Sequence, residues 1–359
     1  MTFAIAAAGT GGHVYPGLAV GEALVSLGVS RDDILYIGGR RLEAQVYPEA
    51  GFPFVSVELR GLSRSLTLRN LGIPRVVISA VRTIRSEIVA RGVRALLGLG
   101  GYVTVPAGLA ARRAGVPVAV AEQNAEAGLA NQVVSRFATR VFGSFPTTHR
   151  LPRAEWVGNP LRRPLAEFDR QRLRPRALER FGLDADVPVL GVFGGSLGAG
   201  VINRAVIEML AVWDGPPVQV LHLAGQGYEE VSAAASVSSH RWVVLDFIAE
   251  MDAFFAACDL VVARAGGSVA ELTATATPAI LVPGGFGSGK HQAANAAALR
   301  EAGAAVVVTE ERLTELRAAV EELVSDVDAR RRMAEAATKL AKPDAATVIA
   351  RALIEMASS

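Results

Sequence analysis

The chain has 359 residues, of which 51% are hydrophobic and 20% charged, and its formal net charge is +2. This length exceeds one ordinary hydrophobic core and fits two α/β domains. The sequence has no apolar run near the roughly 20 residues of a membrane span and one cysteine, Cys258. We therefore expect no membrane-spanning helix, no signal peptide, no disulfide framework, no cysteine metal site, and a reducing cytoplasm as the compartment.

Short apolar strands alternate with helical stretches from the first strand, Met1–Ala8, to the end of the chain. The other predicted strands of the first half are Ile34–Ile37, Phe54–Val57, Ala95–Leu99, Val118–Ala121 and Arg140–Phe142. Those of the second half are Val189–Phe193, Val218–Leu223, Trp242–Phe247, Leu260–Ala263, Ala279–Val282 and Ala305–Val308. This alternation predicts an α/β fold of two doubly wound, Rossmann-like parallel-sheet domains that face each other across a cleft.

The predicted domain boundary lies at Gly158–Pro164, where two prolines flank a basic turn. We expect an N-terminal domain at residues 1–160 and a C-terminal domain at residues 165–342. Pro343 interrupts the last helical region, and the amphipathic segment 343–359 is predicted to form a closing helix that packs back on the first domain.

The two halves differ in charge, since residues 1–165 carry a net +9 and residues 166–359 a net −7. No nucleic-acid motif is present and the arginines are not interleaved with aromatic residues, so we expect no nucleic-acid partner. The basic half favours an anionic lipid surface or a pyrophosphate-bearing substrate. An ordinary solvated surface is the alternative.

Two glycine-rich turns connect a predicted strand to a predicted helix. The first is Gly9–His13 (GTGGH) and the second is Gly194–Gly198 (GGSLG). Such a turn presents backbone N–H groups at a helix N-terminus, which suits an anion or a sugar hydroxyl. Two turns of this kind predict two nucleotide-binding-type halves.

Neither turn matches the motif of a common nucleotide-binding enzyme. The third glycine of the dinucleotide motif is missing after Gly11, and the Walker A sequence is absent, with Gly289–His291 as its nearest approach. Asp184–Asp186 resembles a metal-binding D-x-D, but it precedes a strand and is interpreted as a solvated turn. A Rossmann dehydrogenase is therefore a remote alternative.

Polar and glycine-rich segments follow several other predicted strands, at the carboxyl ends where open α/β sheets bind ligands. These segments are Gly100–Tyr102, Glu122–Asn124, Arg264–Glu271 and His291–Asn295. With Gly158–Arg162, Phe247–Met251 and the two glycine turns, they resemble, in order, the motifs of the MurG family across nearly the whole chain. Gly267 stands in place of the usual alanine, and Gly287–Lys290 in place of an acidic or amide pair.

The MurG family has the GT-B fold of two domains. Its members are transferases at the cytoplasmic face of the cell membrane, and they add N-acetylglucosamine to lipid I, a lipid-linked muramyl-pentapeptide, to form lipid II of peptidoglycan. The resemblance implies UDP-N-acetylglucosamine as donor substrate, with no metal and no further cofactor. The substrate-binding residues it implies are Thr10, Gly11, Gly12, Asn124, Arg162, Ser196, Ile248, Glu271, His291 and Gln292.

The resemblance also implies a role for each group of these residues. Ile248 contacts the uracil, and Glu271 accepts hydrogen bonds from both ribose hydroxyls. Ser196 and Arg162 hold the diphosphate. The His291–Gln292 pair reads the sugar hydroxyls, while Asn124 helps to position the sugar or the acceptor.

The implied reaction is an inverting displacement at the anomeric carbon by the muramyl 4-hydroxyl, which a general base assists by about two to four orders of magnitude. His13 is the candidate base, and substrate positioning is its competing role. Glu122 is the second candidate base, with holding of its own loop as the alternative.

Peripheral association with the cell membrane is a further implication of the resemblance. The candidate docking patch consists of Leu66, Leu68, Leu71, Ile73, Val76 and Val77, rimmed by Arg64, Arg69 and Arg75. Core packing is the alternative for this patch.

Two other classes of function are compatible with the motifs. One is a different GT-B enzyme that uses UDP-sugars, such as a glycolipid glycosyltransferase or a UDP-N-acetylglucosamine epimerase. The other is a non-catalytic protein that binds a nucleotide sugar or a polyprenyl phosphate.

Overall fold

The computed structural model describes residues 1–57, 73–194, 199–284 and 289–358. The chain divides into two compact units, Met1–Arg163 with Lys342–Ser359, and Pro164–Ala341. Each unit contains one parallel β-sheet with helices packed on it. The predicted α/β class with two Rossmann-like parallel sheets is therefore confirmed.

The first unit has seven strands among the described residues. They are β1 (Thr2–Ala6), β2 (Ile34–Gly38), β3 (Phe54–Ser56), β4 (Val93–Gly98), β5 (Val118–Glu122), β6 (Arg140–Gly143) and β7 (Glu155–Trp156). Their order is β3-β2-β1-β4-β5-β6-β7, and every neighbouring pair is parallel. The apolar runs predict β1 to β6, whereas β7 is too short and too polar to form such a run and is missed.

Helices cover both faces of this sheet, so its central strands are buried on both sides. The helices are α1 (Gly11–Ser26), α2 (Glu43–Glu49), α3 (Ile73–Ala90), α4 (Thr104–Arg113) and α5 (Leu129–Ser135). Successive side chains of a strand point to opposite faces, and Phe3 accordingly packs with Leu18 of α1 while Ala4 packs with Ile84 of α3.

Two helices, α6 (Arg163–Ala166) and α7 (Arg170–Phe181), lead into the second unit. The six strands among its described residues are β8 (Val189–Phe193), β9 (Gln219–Leu223), β10 (Trp242–Leu245), β11 (Leu260–Ala263), β12 (Ala279–Leu281) and β13 (Val306–Val307). The helices between and after them are α8 (Gly200–Ala211), α9 (Tyr228–Ser236), α10 (Met251–Ala257), α11 (Ser268–Ala274), α12 (Gly289–Glu301), α13 (Leu316–Ser325) and α14 (Val327–Leu340).

The first six strands of each sheet have the same order, and β7 extends the first sheet by one edge strand. The order in the second sheet is β10-β9-β8-β11-β12-β13, again with parallel pairs. In each sheet the first strand along the chain is central, the next two strands are added on one side of it, and the later strands are added on the other side. This reversal of strand order lies between β1 and β4 in the first sheet and between β8 and β11 in the second. Doubly wound sheets bind ligands at the carboxyl ends of the strands beside this reversal.

The last helix, α15 (Ala345–Ser358), belongs to the first unit and packs against α1 and β4. Its apolar side chains Ile349, Leu353 and Met356 are buried in the core on the α1 side of the sheet. Their spacing of three and four residues keeps them on one face of the helix.

One arginine of α7 connects this helix to the rest of the second unit. Nη1 of Arg170 donates to the carbonyl oxygens of Phe255 (2.7 Å) and Cys258 (2.6 Å) at the end of α10. Nη2 donates to the carbonyl oxygen of Thr275 (3.3 Å) and to Oγ1 of Thr277 (2.6 Å), after α11. The guanidinium therefore satisfies polar groups on two helix ends that have little access to water.

We predict that Arg170→Ala lowers the free energy of unfolding by about 3 kcal/mol, because buried acceptors then lose their donors. Urea denaturation followed by circular dichroism measures the change. Arg176→Ala is the matched control, since Arg176 lies on the same helix with an exposed side chain. Equal midpoints for the two variants would contradict the assigned role of Arg170.

Candidate active site

The N-terminus of α1 lies at the strand-order reversal of the first sheet. Thr10 has extended backbone, and its carbonyl oxygen accepts from the backbone N–H groups of His13 (3.0 Å) and Val14 (3.1 Å). The side chain of Thr10 does not cap the helix, and its Oγ1 lies 3.4 Å from Nδ1 of His13. The first turn of α1 therefore presents His13, Thr10 and the backbone of Gly11 and Gly12 at the carboxyl edge of the sheet.

The turn after β4 packs directly against this first turn. A Cβ atom at Gly100 would lie 3.0 Å from Nε2 of His13 and 3.4 Å from Nδ2 of Asn131. A Cβ atom at Gly101 would collide with the carbonyl oxygen of Ala8. Both glycines also have positive φ, of +93° and +73°, where a side chain is strained. Glycine is therefore required here so that the two turns can touch.

Glu122, at the end of β5, is buried and accepts four hydrogen bonds. Its Oε1 accepts from the backbone N (3.0 Å) and Nδ2 (2.9 Å) of Asn124. Its Oε2 accepts from the backbone N of Gly128 (3.0 Å) and Nδ2 of Asn131 (2.7 Å). This geometry favours the loop-holding role of Glu122, because both oxygens are already engaged with the loop and with α5.

Asn131 is a site residue that the sequence analysis missed. It is buried on α5, where its Nδ2 also donates to the carbonyl oxygen of Ala121 (3.2 Å) and lies 3.4 Å from a Cβ atom placed on Gly100. A single asparagine in an apolar helix does not reveal its partners, so the sequence offered only the weak signal of a polar residue in an apolar pattern.

In the second unit, Glu271 lies in the first turn of α11, after β11. Burial raises the pKa of its carboxyl group from 4.5 to about 7. Ile248 is buried in the segment after β10. Both residues follow the carboxyl ends of their strands, the edge at which this fold binds ligands.

A second group of polar side chains surrounds the ends of β11 and β12. Gln292 of α12 accepts from the backbone N of Gly284 (2.9 Å) through Oε1, and Asn295 donates to the carbonyl oxygen of Ala265 (3.0 Å). Arg264 donates to the carbonyl oxygen of Val282 (3.0 Å) and forms an ion pair with Glu310 (2.6 Å). These contacts join the loops after β11 and β12 to α12.

The remaining predicted residues are Arg162, His291, Ser196 and those of the candidate docking patch. Arg162 forms an ion pair with Glu22 of α1, with 3.4 Å between Nη2 and Oε1, and His291 is partly exposed at the start of α12. Outside the described residues lie Ser196 and, in the candidate docking patch, Arg64, Leu66, Leu68, Arg69 and Leu71. Ile73 and Arg75 belong to α3; further along this helix Val76 is exposed, whereas Val77 packs partly against the core.

Comparison with known families places these two units in one enzyme family. The glycosyltransferase family 28 N-terminal domain matches residues 3–143, and the glycosyltransferase family 28 C-terminal domain matches residues 189–349. The two matches together span most of the chain and each contains one of the glycine turns.

Full-length relatives carry a more specific name. A UDP-N-acetylglucosamine–N-acetylmuramyl-(pentapeptide) pyrophosphoryl-undecaprenol N-acetylglucosamine transferase of Clavibacter sepedonicus is 40% identical over 97% of this chain and 94% of its own length. The protein of that name from Acidothermus cellulolyticus is 39% identical over 100% of this chain and 98% of its own. The crystal structure of Acinetobacter baumannii MurG has 28% identity and a TM-score of 0.77, with 99% of each chain covered. The chain therefore belongs to glycosyltransferase family 28 and, within it, to the MurG family of N-acetylglucosamine transferases.

Proposed function

We propose that this chain transfers N-acetylglucosamine from UDP-N-acetylglucosamine to the 4-hydroxyl of the muramyl sugar of lipid I, forming lipid II. The names of the full-length relatives support this donor and acceptor. The observation that carries the proposal is a histidine on the glycine turn at the strand-order reversal of the first sheet, packed against a second glycine turn. This is where a doubly wound unit receives a ligand, and His13 brings a proton acceptor to it.

The second unit holds the donor in this proposal. Ile248 provides an apolar contact for the uracil, and the Glu271 carboxylate accepts from the ribose hydroxyls. Ser196 and the backbone of its glycine turn bind the diphosphate at the N-terminus of α8, whose dipole favours negative charge. Gln292 and His291 read the hydroxyls of the sugar.

Arg162 adds a positive charge for the diphosphate. Its ion pair with Glu22 is largely exposed, and such pairs are worth about 0–1 kcal/mol. A diphosphate with two negative charges can therefore displace Glu22 from the guanidinium at little cost.

The transfer is a displacement with inversion at the anomeric carbon. The 4-hydroxyl oxygen of the muramyl sugar forms the new bond to this carbon, its proton passes to His13, and UDP leaves with the electron pair of the broken bond. Thr10, beside Nδ1 of His13, helps to orient the ring. Asn124, held by Glu122, positions the sugar or the acceptor.

Peripheral membrane binding through α3 brings the lipid-linked acceptor to the first unit. Within the described parts of the chain, no helix combines the length and apolar character needed to cross a bilayer. One face of α3 packs in the core, whereas the opposite face exposes Ile78 and Val89 together with Arg82 and Arg85. Apolar residues flanked by arginines suit the surface of an anionic membrane, and the same helix carries Ile73, Val76 and Val77 of the predicted patch.

We predict that His13→Ala lowers kcat by about 10²- to 10⁴-fold, because the attacking hydroxyl loses its base. Formation of the disaccharide from labelled UDP-N-acetylglucosamine and a soluble lipid I analogue measures the rate. The control is His149→Ala, which removes an exposed imidazole from the same unit. Absence of product with the unmodified chain would refute the proposed function, and full activity of His13→Ala would refute only the role of His13.

Glu271→Gln is expected to stabilise the unliganded protein at alkaline pH. The raised pKa means that the folded state favours the neutral acid, so the natural chain loses stability as the pH rises from 4.5 through about 7, while the amide variant does not. Above this range we expect the variant to be more stable by about 1–3 kcal/mol. Thermal unfolding across this pH range measures the difference, with the exposed Glu230→Gln as control.

The same substitution is expected to weaken donor binding. Ribose hydroxyls donate to the ionised carboxylate, so binding by the natural chain should tighten as the pH rises through about 7. Calorimetric titration with UDP-N-acetylglucosamine should show this tightening in the natural chain and lose it in Glu271→Gln. An unchanged pH dependence in the variant would exclude Glu271 from the ribose site.

Membrane binding is tested with Ile78→Glu, which places a charge on the exposed face of α3. We expect the affinity for vesicles of anionic phospholipid to fall by about 10- to 100-fold, since burial of one such side chain is worth about 1.5–3 kcal/mol. Vesicle sedimentation measures binding. Val237→Glu, at a highly exposed position of the second unit, is the control, and equal binding by both variants would argue against docking through α3.

A further inference from the structure

A second buried carboxylate, Glu43, lies beside the candidate active site. It is the first residue of α2 and is fully buried. Its Oε2 accepts from the backbone N of Gly9 (3.2 Å), and its Oε1 accepts from the backbone N of Gly39 (3.0 Å) and from the hydroxyl of Tyr102 (3.1 Å). A buried charge is stable only when hydrogen bonds replace its water, and these three donors do so.

The three donors come from three separate segments of the first sheet. Gly9 begins the turn that carries His13, Gly39 follows β2, and Tyr102 lies in the turn after β4. The turns after β1 and β4 are the two that meet at the strand-order reversal. Glu43 therefore bonds to both sides of the reversal from one carboxylate.

Two glycines at the end of β2 leave room for the side chains of Glu43 and Tyr102. A Cβ atom at Gly38 would lie 2.7 Å from Cγ of Glu43, and one at Gly39 would collide with the hydroxyl of Tyr102. Burial and the neighbouring Glu43 raise the pKa of Tyr102 to about 12, so its hydroxyl stays protonated and able to donate at neutral pH.

We infer that Glu43 is a positioning residue for the transfer reaction, which holds the His13 turn and the Gly100–Tyr102 turn at the separation that the acceptor needs. The inference rests on the proposed function of His13. The distance of 3.0 Å between Nε2 of His13 and a Cβ atom placed on Gly100 shows how closely the imidazole depends on the second turn. A shift of either turn therefore moves the imidazole relative to the acceptor.

Glutamine cannot replace Glu43 in this arrangement. All three partners of Glu43 are donors, and a carboxylate offers only acceptors. An amide must turn its NH₂ group towards Gly9 or towards Gly39 and Tyr102, so at least one segment loses its bond. Glu43→Gln thus loosens the turns while keeping the size of the side chain.

The test measures kcat, the KM for the lipid I analogue and the Kd for UDP-N-acetylglucosamine, well below the melting temperature of each variant. We expect Glu43→Gln to lower kcat/KM for the acceptor by about 10- to 100-fold, as displacements near 1 Å do. Donor affinity, for which the proposed function uses mainly Ile248, Glu271, Ser196 and Gln292 of the other unit, is expected to change much less than kcat/KM for the acceptor. Tyr102→Phe removes one of the three bonds and is expected to give a smaller loss in the same direction.

Tyr36→Phe separates positioning from general stability. It removes the buried hydroxyl of a tyrosine on β2, which donates to the carbonyl oxygen of Gly17 (3.0 Å), but it leaves Glu43 and its three bonds intact. We expect it to lower the melting temperature about as much as Tyr102→Phe does and to keep full kcat. An equal loss of kcat in Tyr36→Phe and Tyr102→Phe would overturn the inference.

A double-mutant cycle with His13→Ala decides whether Glu43 acts through His13. We expect Glu43→Gln to change the residual rate of His13→Ala by less than about twofold, since the group it positions is gone. Multiplicative losses would overturn the inference, as would a full rate for His13→Ala together with a low rate for Glu43→Gln. An inactive natural chain would instead refute the proposed function itself.

Discussion

The structure depends on the single reversal of strand order within each parallel sheet. The helices that follow the two strands at a reversal leave towards opposite faces, and this separation opens a crevice at the carboxyl edge. In the first unit α1 packs on one face and α4 on the other, so the turns before them meet at this edge. Close contact between these turns is possible because Gly100 and Gly101 have no side chains. The position of His13 follows from this packing.

Three carboxylates of the two units show how the same chemical group serves different purposes. Glu122 accepts four hydrogen bonds and Glu43 accepts three, so each is a stable part of the framework that holds loops together. Burial instead raises the pKa of Glu271, which makes its ionised form costly in the absence of ligand. A ligand with hydroxyl donors lowers that cost, so the destabilised group is the one suited to binding.

Much of the fold could be predicted because parallel strands covered on both faces are continuous apolar runs. Val189–Phe193 and Leu260–Ala263 have the predicted bounds, and the other predicted strands differ by at most a few residues. The edge strand Glu155–Trp156 could not be predicted, because its pairing with β6 comes from position in the sheet and not from its own composition. The closing helix was recognisable from the spacing of Ile349, Leu353 and Met356.

The sequence by itself determined the family, the two parallel sheets and the glycine turns, since these follow from local patterns and from motifs in a set order. Only the tertiary structure decided which side chains act together. Glu43 lies 59 residues from Tyr102. Asn131 lies only 9 residues from Glu122 but on the next helix, and no spacing rule connects either pair. Their pairing arises because parallel strands bring distant turns to one edge, and because a buried carboxylate must find its donors among whatever backbone and side chains the fold places beside it.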